Sequence, residues 1–182
     1  FFPRQGLSMA QMWDFVANFG TPWADDSFGS DDDKPDESHK MDSASTRYGT
    51  SVWHADSSFL AEPPKFTILQ ANSLPPVGGD TCWASMTAAY DALPEPVRTM
   101  LDKLQAIHSI ELPMTRLGDY GGQFEDAFKA VHAPHQVHPV VTVNPETGRK
   151  ALFVSECSTT RIVDVPGTIS RHLLAMLIEH IR

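Results

Sequence analysis

Apolar and polar positions alternate along this chain in short stretches, and helical periods are easier to pick out than strand periods. Ser8 followed by Gln11 matches a capping box, and Met9, Met12, Phe15, Val16 and Phe19 recur at helical spacing up to Gly20, so residues 8–19 are predicted to form an amphipathic helix. Ser51 to Phe59 reads as a strand entering a turn. After Pro63-Pro64, Phe66-Thr67-Ile68-Leu69 reads as a second strand, followed by a turn cluster from Pro75 to Asp80. Helices are predicted over residues 85–92 and again after Pro94 and Pro96, the second burying Val97, Met100, Leu101 and Leu104. His108 is read as ending that helix, where an imidazolium would suit the dipole.

Residues 109–136 lack a clear period, apart from a short helical pattern over Phe124–Val131. Val137–Val143 and Ala151–Val154 read as strands around a turn at Asn144–Gly148, with another strand at Arg161–Val165. Pro166-Gly167 then opens a last helix with Ile169, Leu173, Met176, Leu177 and Ile181 on one face. Short strands with flanking helices indicate one α+β or mainly β domain, and 182 residues suit one such core.

Charge narrows the function classes. Fourteen basic and 23 acidic residues give a net charge of −9. Eight of the acids lie between Asp25 and Asp42, opposed only by Lys34 and Lys40. The acidity therefore belongs mostly to one loop, residues 25–50, and no basic stripe is left to grip phosphates; nucleic acid is excluded as a partner. The loop's composition is that of a mobile, solvated segment. A lid beside an active site is the sharper alternative, and the acids lack the spacing of an EF-hand. No apolar run approaches the roughly 18 residues of a membrane span. Two cysteines, Cys82 and Cys157, exclude a disulfide scaffold and suit a reducing cytoplasm.

Trp53-His54-Ala55-Asp56 is the tetrapeptide with the most chemistry. In an extended chain, residues i and i+2 project to one side, so His54 and Asp56 can face one ion. An imidazole and a carboxylate are two members of the facial triad that holds non-haem Fe(II) with open coordination positions. An isolated HxD is weak as a motif. His132, His135 and His138, three apart, are interrupted by Pro134 and Pro139 and read as solvated or hydrogen-bonded loop residues, not a zinc site.

The stretch WHADSSFLAEPPKFTILQANSLPPVGGDTCWASMTAAYDAL resembles the taurine dioxygenase family of Fe(II)/2-oxoglutarate-dependent oxygenases, which also includes 2,4-dichlorophenoxyacetate dioxygenase and alkylsulfatase members. FFPRQGLSMAQMWDFVANFG and HPVVTVNPETGRKALFVSECSTTRIVDV extend the resemblance to nearly the whole chain, leaving aside the acidic loop and residues 109–136. It implies a mainly β fold with flanking helices, the double-stranded β-helix or cupin-like jelly roll, within a partial domain over residues 1–182. It makes His54 and Asp56 the first two iron ligands. Thr81, in GGDT, corresponds to the threonine that bonds a carboxylate of 2-oxoglutarate, with Gly78 and Gly79 allowing the turn before it. Phe59 falls at an aromatic wall beside the substrate.

Thr50 stands where taurine-specific members carry a substrate-contacting asparagine. RLGDY, DSSF and AAYDALP are closer to the phenoxyacetate branch, and STTRIV to the taurine branch. The resemblance thus implies O₂-dependent hydroxylation of a small anionic sulfonate or sulfate ester, with release of succinate and CO₂; the alternative substrate is an aryloxy or other carboxylic acid. Homo-oligomers are common in the family. The family's first strand would begin before Phe1. Its distal iron-binding histidine and 2-oxoglutarate arginine would fall beyond Arg182, in strands that complete the jelly roll; without them the chain would be a non-catalytic remnant. His172 and His180 do not match the distal motif.

Overall fold

The structure is a computed structural model that describes residues 5–21, 52–71, 75–109 and 135–182. Its first element is helix α1, Met9–Val16, continued by a 3₁₀ turn over Ala17–Phe19. The capping box forms as expected. The Ser8 hydroxyl accepts the Gln11 N–H, and the Gln11 side chain accepts the Ser8 N–H. At Gly20 the backbone turns to φ 137°, a conformation that favours glycine, and the helix stops there.

Helix α2, Met86–Ala92, is capped by Ser85, and α3, Glu95–Leu101, starts after Pro94. Strand β1, Gln105–Ser109, follows α3 directly and is the centre of an antiparallel sheet ordered β2-β1-β5. β2 is His135–Pro139 and β5 is Thr159–Ile162. Ile107 pairs with Val137 on one side and Arg161 on the other; between Ile107 and His108 the β5 register is irregular. β3, Val141–Val143, and β4, Lys150–Leu152, form a separate hairpin. Its turn is held by Asn144, whose side-chain oxygen accepts the N–H groups of Glu146 and Thr147. Helix α4, Gly167–Ile181, closes the described chain.

Leu101, Ala106, Val140, Leu152, Ile162 and Leu177 are almost wholly buried, and these side chains knit α3, both sheets and α4 into one core. His180 fastens α4 to α2 by donating from Nε2 to the Ala89 carbonyl at 2.8 Å. Inside the α4–β5 contact, the buried Ser170 hydroxyl accepts the Ile162 N–H at 2.7 Å. Ser170→Ala is expected to destabilise the fold by roughly 1–2 kcal/mol, because the Ile162 N–H then loses its acceptor in a dry contact. Urea unfolding midpoints of the two proteins measure this.

Several expectations change. Residues 53–55 join no ladder, and 56–59 form a turn, so the strand expected from Ser51 to Phe59 is absent over its described part. Phe66–Leu69 is likewise not a strand; Phe66 and Leu69 are exposed, and an alternating pattern needs a ladder and a covering layer to become one. Met100 is exposed, because the α3 stripe turns inward on Val97 and Leu101 alone. The buried face of α4 runs through Ser170, Leu173, Leu174, Leu177, Ile178 and Ile181, leaving Ile169 and Met176 outside. The strand expected over Val137–Val143 breaks at Val140, whose N–H bonds to Leu104. His108 ends no helix: it lies in β1, fully buried. His138 sits in β2, not in a loop. The acidic loop, Thr50, His132 and the Phe124–Val131 helix lie outside the described residues.

These small antiparallel sheets with packed helices accord with the mainly β expectation in its coarser form. Among the described residues, no helix is long and apolar enough to cross a membrane.

Candidate active site

His54 and Asp56 converge as the i, i+2 spacing requires: Nε2 of His54 lies 3.3 Å from Oδ1 of Asp56. The backbone fixes each of them. Nδ1 of His54 donates to the Val52 carbonyl at 2.8 Å, so this nitrogen carries a hydrogen and Nε2 is the one that faces the carboxylate. The Trp53 carbonyl accepts the Glu156 N–H at 3.1 Å, tying this segment to the chain that leads into β5. After Asp56 the chain reverses through Ser57, which adopts φ 50°, and Leu60 donates back to the Ser57 carbonyl at 3.0 Å. A left-handed serine is uncommon and costs energy, so the tight reversal beside Asp56 has to be held by its surroundings.

Both side chains keep some contact with water, at 31% exposure for His54 and 47% for Asp56. The hydrogen bond to Asp56 raises the His54 pKa above the ordinary imidazole value, with burial opposing it. Asp56 is held below the usual carboxylate range chiefly by His54, and a hydrogen bond from Thr67 acts in the same direction. The ionised carboxylate is the form that can bind a cation.

A cavity of about 140 Å³ opens beside the pair, lined by Trp53, His54 and Ala55, by Cys82, Trp83 and Ala84, and by Phe153. Cys82–Ala84, which directly follow the GGDT segment, are thereby brought beside Trp53–Ala55. Gly78 and Gly79 have φ of 78° and 75°, and a Cβ on Gly79 would stand 3.2 Å from the Pro75 ring; both positions therefore require glycine. Thr81 follows them, exposed and next to Cys82 of the cavity wall. Phe59 is half-buried in the turn, on chain that continues from Asp56. Cys82 and Cys157 are not joined in a disulfide.

The donor set fits a divalent cation. One imidazole nitrogen and one carboxylate oxygen face each other, and the second ring nitrogen is already bonded to a carbonyl. Among the described residues, no group of three His, Cys, Asp or Glu side chains stands together to hold a metal; His54 and Asp56 are a two-donor edge.

Beneath the turn lies a group that sequence reasoning missed. Ser58 is buried, its hydroxyl bonded to the Ser158 hydroxyl and, at 3.1 Å, to Nδ1 of His108. His108 Nε2 faces the Thr159 hydroxyl at 3.4 Å. His108 stacks on Phe153 with centroids 4.9 Å apart and meets the edge of His138 at 5.4 Å. Burial first, and the neighbouring His138 second, push the His108 pKa down to about 4. A histidine directly after the apolar pair Ala106-Ile107 was the available signal, in Gln105-Ala106-Ile107-His108.

The profile of the taurine catabolism dioxygenase TauD, TfdA family matches residues 1–182. The (S)-phenoxypropionate/alpha-ketoglutarate-dioxygenase of Sphingobium herbicidovorans is 32% identical over 98% of this chain and 64% of its own length. The alpha-ketoglutarate-dependent sulfate ester dioxygenase of Pseudomonas putida is 37% identical over 71% of this chain and 44% of its own length. The chain thus spans less than two thirds of either relative. Among solved structures, AAD-2 in complex with Mn(II) and N-oxalylglycine is similar with a TM-score of 0.74 and 28% identity, covering 99% of this chain and 62% of that one.

Proposed function

The chain belongs to the taurine catabolism dioxygenase TauD, TfdA family, and on that premise we propose that it carries two ligands of an Fe(II)/2-oxoglutarate site for hydroxylating a small anionic substrate. The observation that carries this reading is the 3.3 Å approach of His54 Nε2 to Asp56 Oδ1, with His54 lining the cavity it shares with Trp53 and Trp83. His54 and Asp56 hold the metal. Thr81 bonds a carboxylate of 2-oxoglutarate, and Phe59 and Thr50 border the substrate. When bound, Fe(II) with 2-oxoglutarate and O₂ supplies the oxidation: one oxygen atom goes to the substrate C–H and the other to succinate, with loss of CO₂. The protein's task is orientation. The Val52 carbonyl fixes the His54 ring, and Thr67 steadies the Asp56 carboxylate. In this reading the described sheets are part of a double-stranded β-helix, and two cysteines that form no disulfide suit a cytoplasmic setting.

The substrate is a sulfonate or sulfate ester on the first reading. The second, an aryloxyalkanoic acid, is favoured by likeness to the phenoxypropionate enzyme over 98% of this chain. Anaerobic loading with Fe(II), then exposure to O₂ with 2-oxoglutarate and a substrate panel, tests both. Succinate is expected to form with an anionic substrate and to stop on chelation of the metal. Coupled sulfite or sulfate release marks the first reading, and phenol release the second. Chelator-insensitive turnover would sink the metal assignment.

A further inference from the structure

We propose that His138 and Ser58 are positioning residues, holding from beneath the 56–60 turn that carries Asp56; as a statement about the metal, this rests on the reading of His54 and Asp56 as ligands. Asp56 sits at the start of a reversal whose next residue, Ser57, is in the left-handed region at φ 50°. Such a conformation persists only where neighbours over-determine it. Two ties from other elements do so here. His138, from β2, donates Nε2–H to the Leu60 carbonyl at 2.8 Å. Ser58 is fully buried and bonded on two sides, to His108 of β1 and to Ser158 at the entry to β5.

The ties are themselves stiff. The rings of His108 and His138 meet edge to face, and both pack on Phe153, with the His138–Phe153 centroids 5.4 Å apart. Phe153 also lines the cavity beside His54. Its N–H donates to the Val140 carbonyl at 2.7 Å, so this floor is fixed to the chain between β2 and β3. The turn is thus bonded at its middle, two residues after Asp56, and at its far end, four residues after it. Leu60 and Ser58 cannot shift without dragging the carboxylate relative to His54, which is tied separately through Trp53 and Val52. Outer groups that orient ligands in this way typically change metal affinity by about 10–100-fold when removed.

A purely structural role for the histidine would be equally served by its ring, and the variants separate the two roles. His138→Phe keeps a ring against Phe153 and removes the Nε2–H donor; His138→Gln keeps a donor without the ring. Two measurements are made on the full chain: amide hydrogen exchange over residues 53–61, with α3 as internal reference, and Mn(II) affinity by equilibrium dialysis, with His54→Ala as control. His138→Phe is expected to speed exchange at Ser58–Leu60 by about tenfold and to weaken Mn(II) binding by about tenfold, with α3 unchanged. His138→Gln recovers most of both. Ser58→Ala moves both in the same direction and serves as the test where His138→Phe does not fold. Wild-type exchange over 53–61 in a folded His138→Phe protein overturns the proposal. If His54→Ala leaves Mn(II) binding unchanged, the metal reading falls; local exchange alone then decides whether His138 and Ser58 hold the turn.

Discussion

Replacing either His54 or Asp56 by alanine is expected to lower Fe(II)-dependent succinate formation by at least about a thousandfold. The estimate follows from what is removed. A metal's stabilisation of developing charge is worth several kcal/mol, and each 1.36 kcal/mol is a factor of ten in rate. On the proposed reading His54 and Asp56, 3.3 Å apart, form one edge of the metal site and act as a unit. The double variant is therefore expected to be no worse than either single one, since effects within such a unit do not add. Stability is expected to change little by comparison. Both side chains are partly exposed and their mutual contact is a solvent-screened ion pair, worth up to about 1 kcal/mol. Thermal unfolding of the variants close to that of the parent, together with lost turnover, separates a lost site from a lost fold. Wild-type succinate release by either alanine variant would remove this pair from the chemistry.

How much of this was legible beforehand depended on whether the signal was local. The Ser8–Gln11 capping box and the Asn144–Gly148 turn are each written into a few adjacent residues, and both formed as read. The HxD geometry was legible for the same reason: two residues apart in an extended chain point to one side, whether or not that chain joins a sheet. Residues 53–55 do not join one. Strand expectations at Phe66–Leu69 failed because a ladder is a property of two segments, and an apolar run says nothing of its partner. Helix faces were misjudged at their edges. Ile169 and Met176 share the apolar character of Leu177 but lie off the stripe that meets the core, and the polar Ser170 lies on it because β5 offers it the Ile162 N–H.

His108 was the largest miss, and it carries the second large effect, a loss of stability in mild acid. In the sequence it reads as a charged helix terminus, whereas in the fold it is a fully buried strand residue whose pKa is pushed down to about 4 by burial first and by His138 second. In the unfolded chain an imidazole titrates near 6.5. The sign follows from proton counting. Above pH 6.5 neither state binds a proton at this ring, and the neutral histidine contributes its full packing against Phe153. Between 6.5 and about 4 the unfolded chain takes up a proton that the folded chain refuses, so stability falls with falling pH. Below about 4 both states are protonated and this contribution levels off.

The interval corresponds to roughly 3 kcal/mol, a substantial share of the 5–15 kcal/mol that holds a typical domain together. Urea unfolding at pH 7.5, 5.5 and 4 is expected to show that decline in the parent. His108→Gln can still bond Ser58 and Thr159 but cannot be protonated, so it should decline less, by about the same 3 kcal/mol across the range. Other groups titrate in both proteins and cancel in the difference. Parallel pH profiles for the two would mean that His108 is protonated in the fold as readily as in the unfolded chain, and that the floor beneath the 56–60 turn is wet.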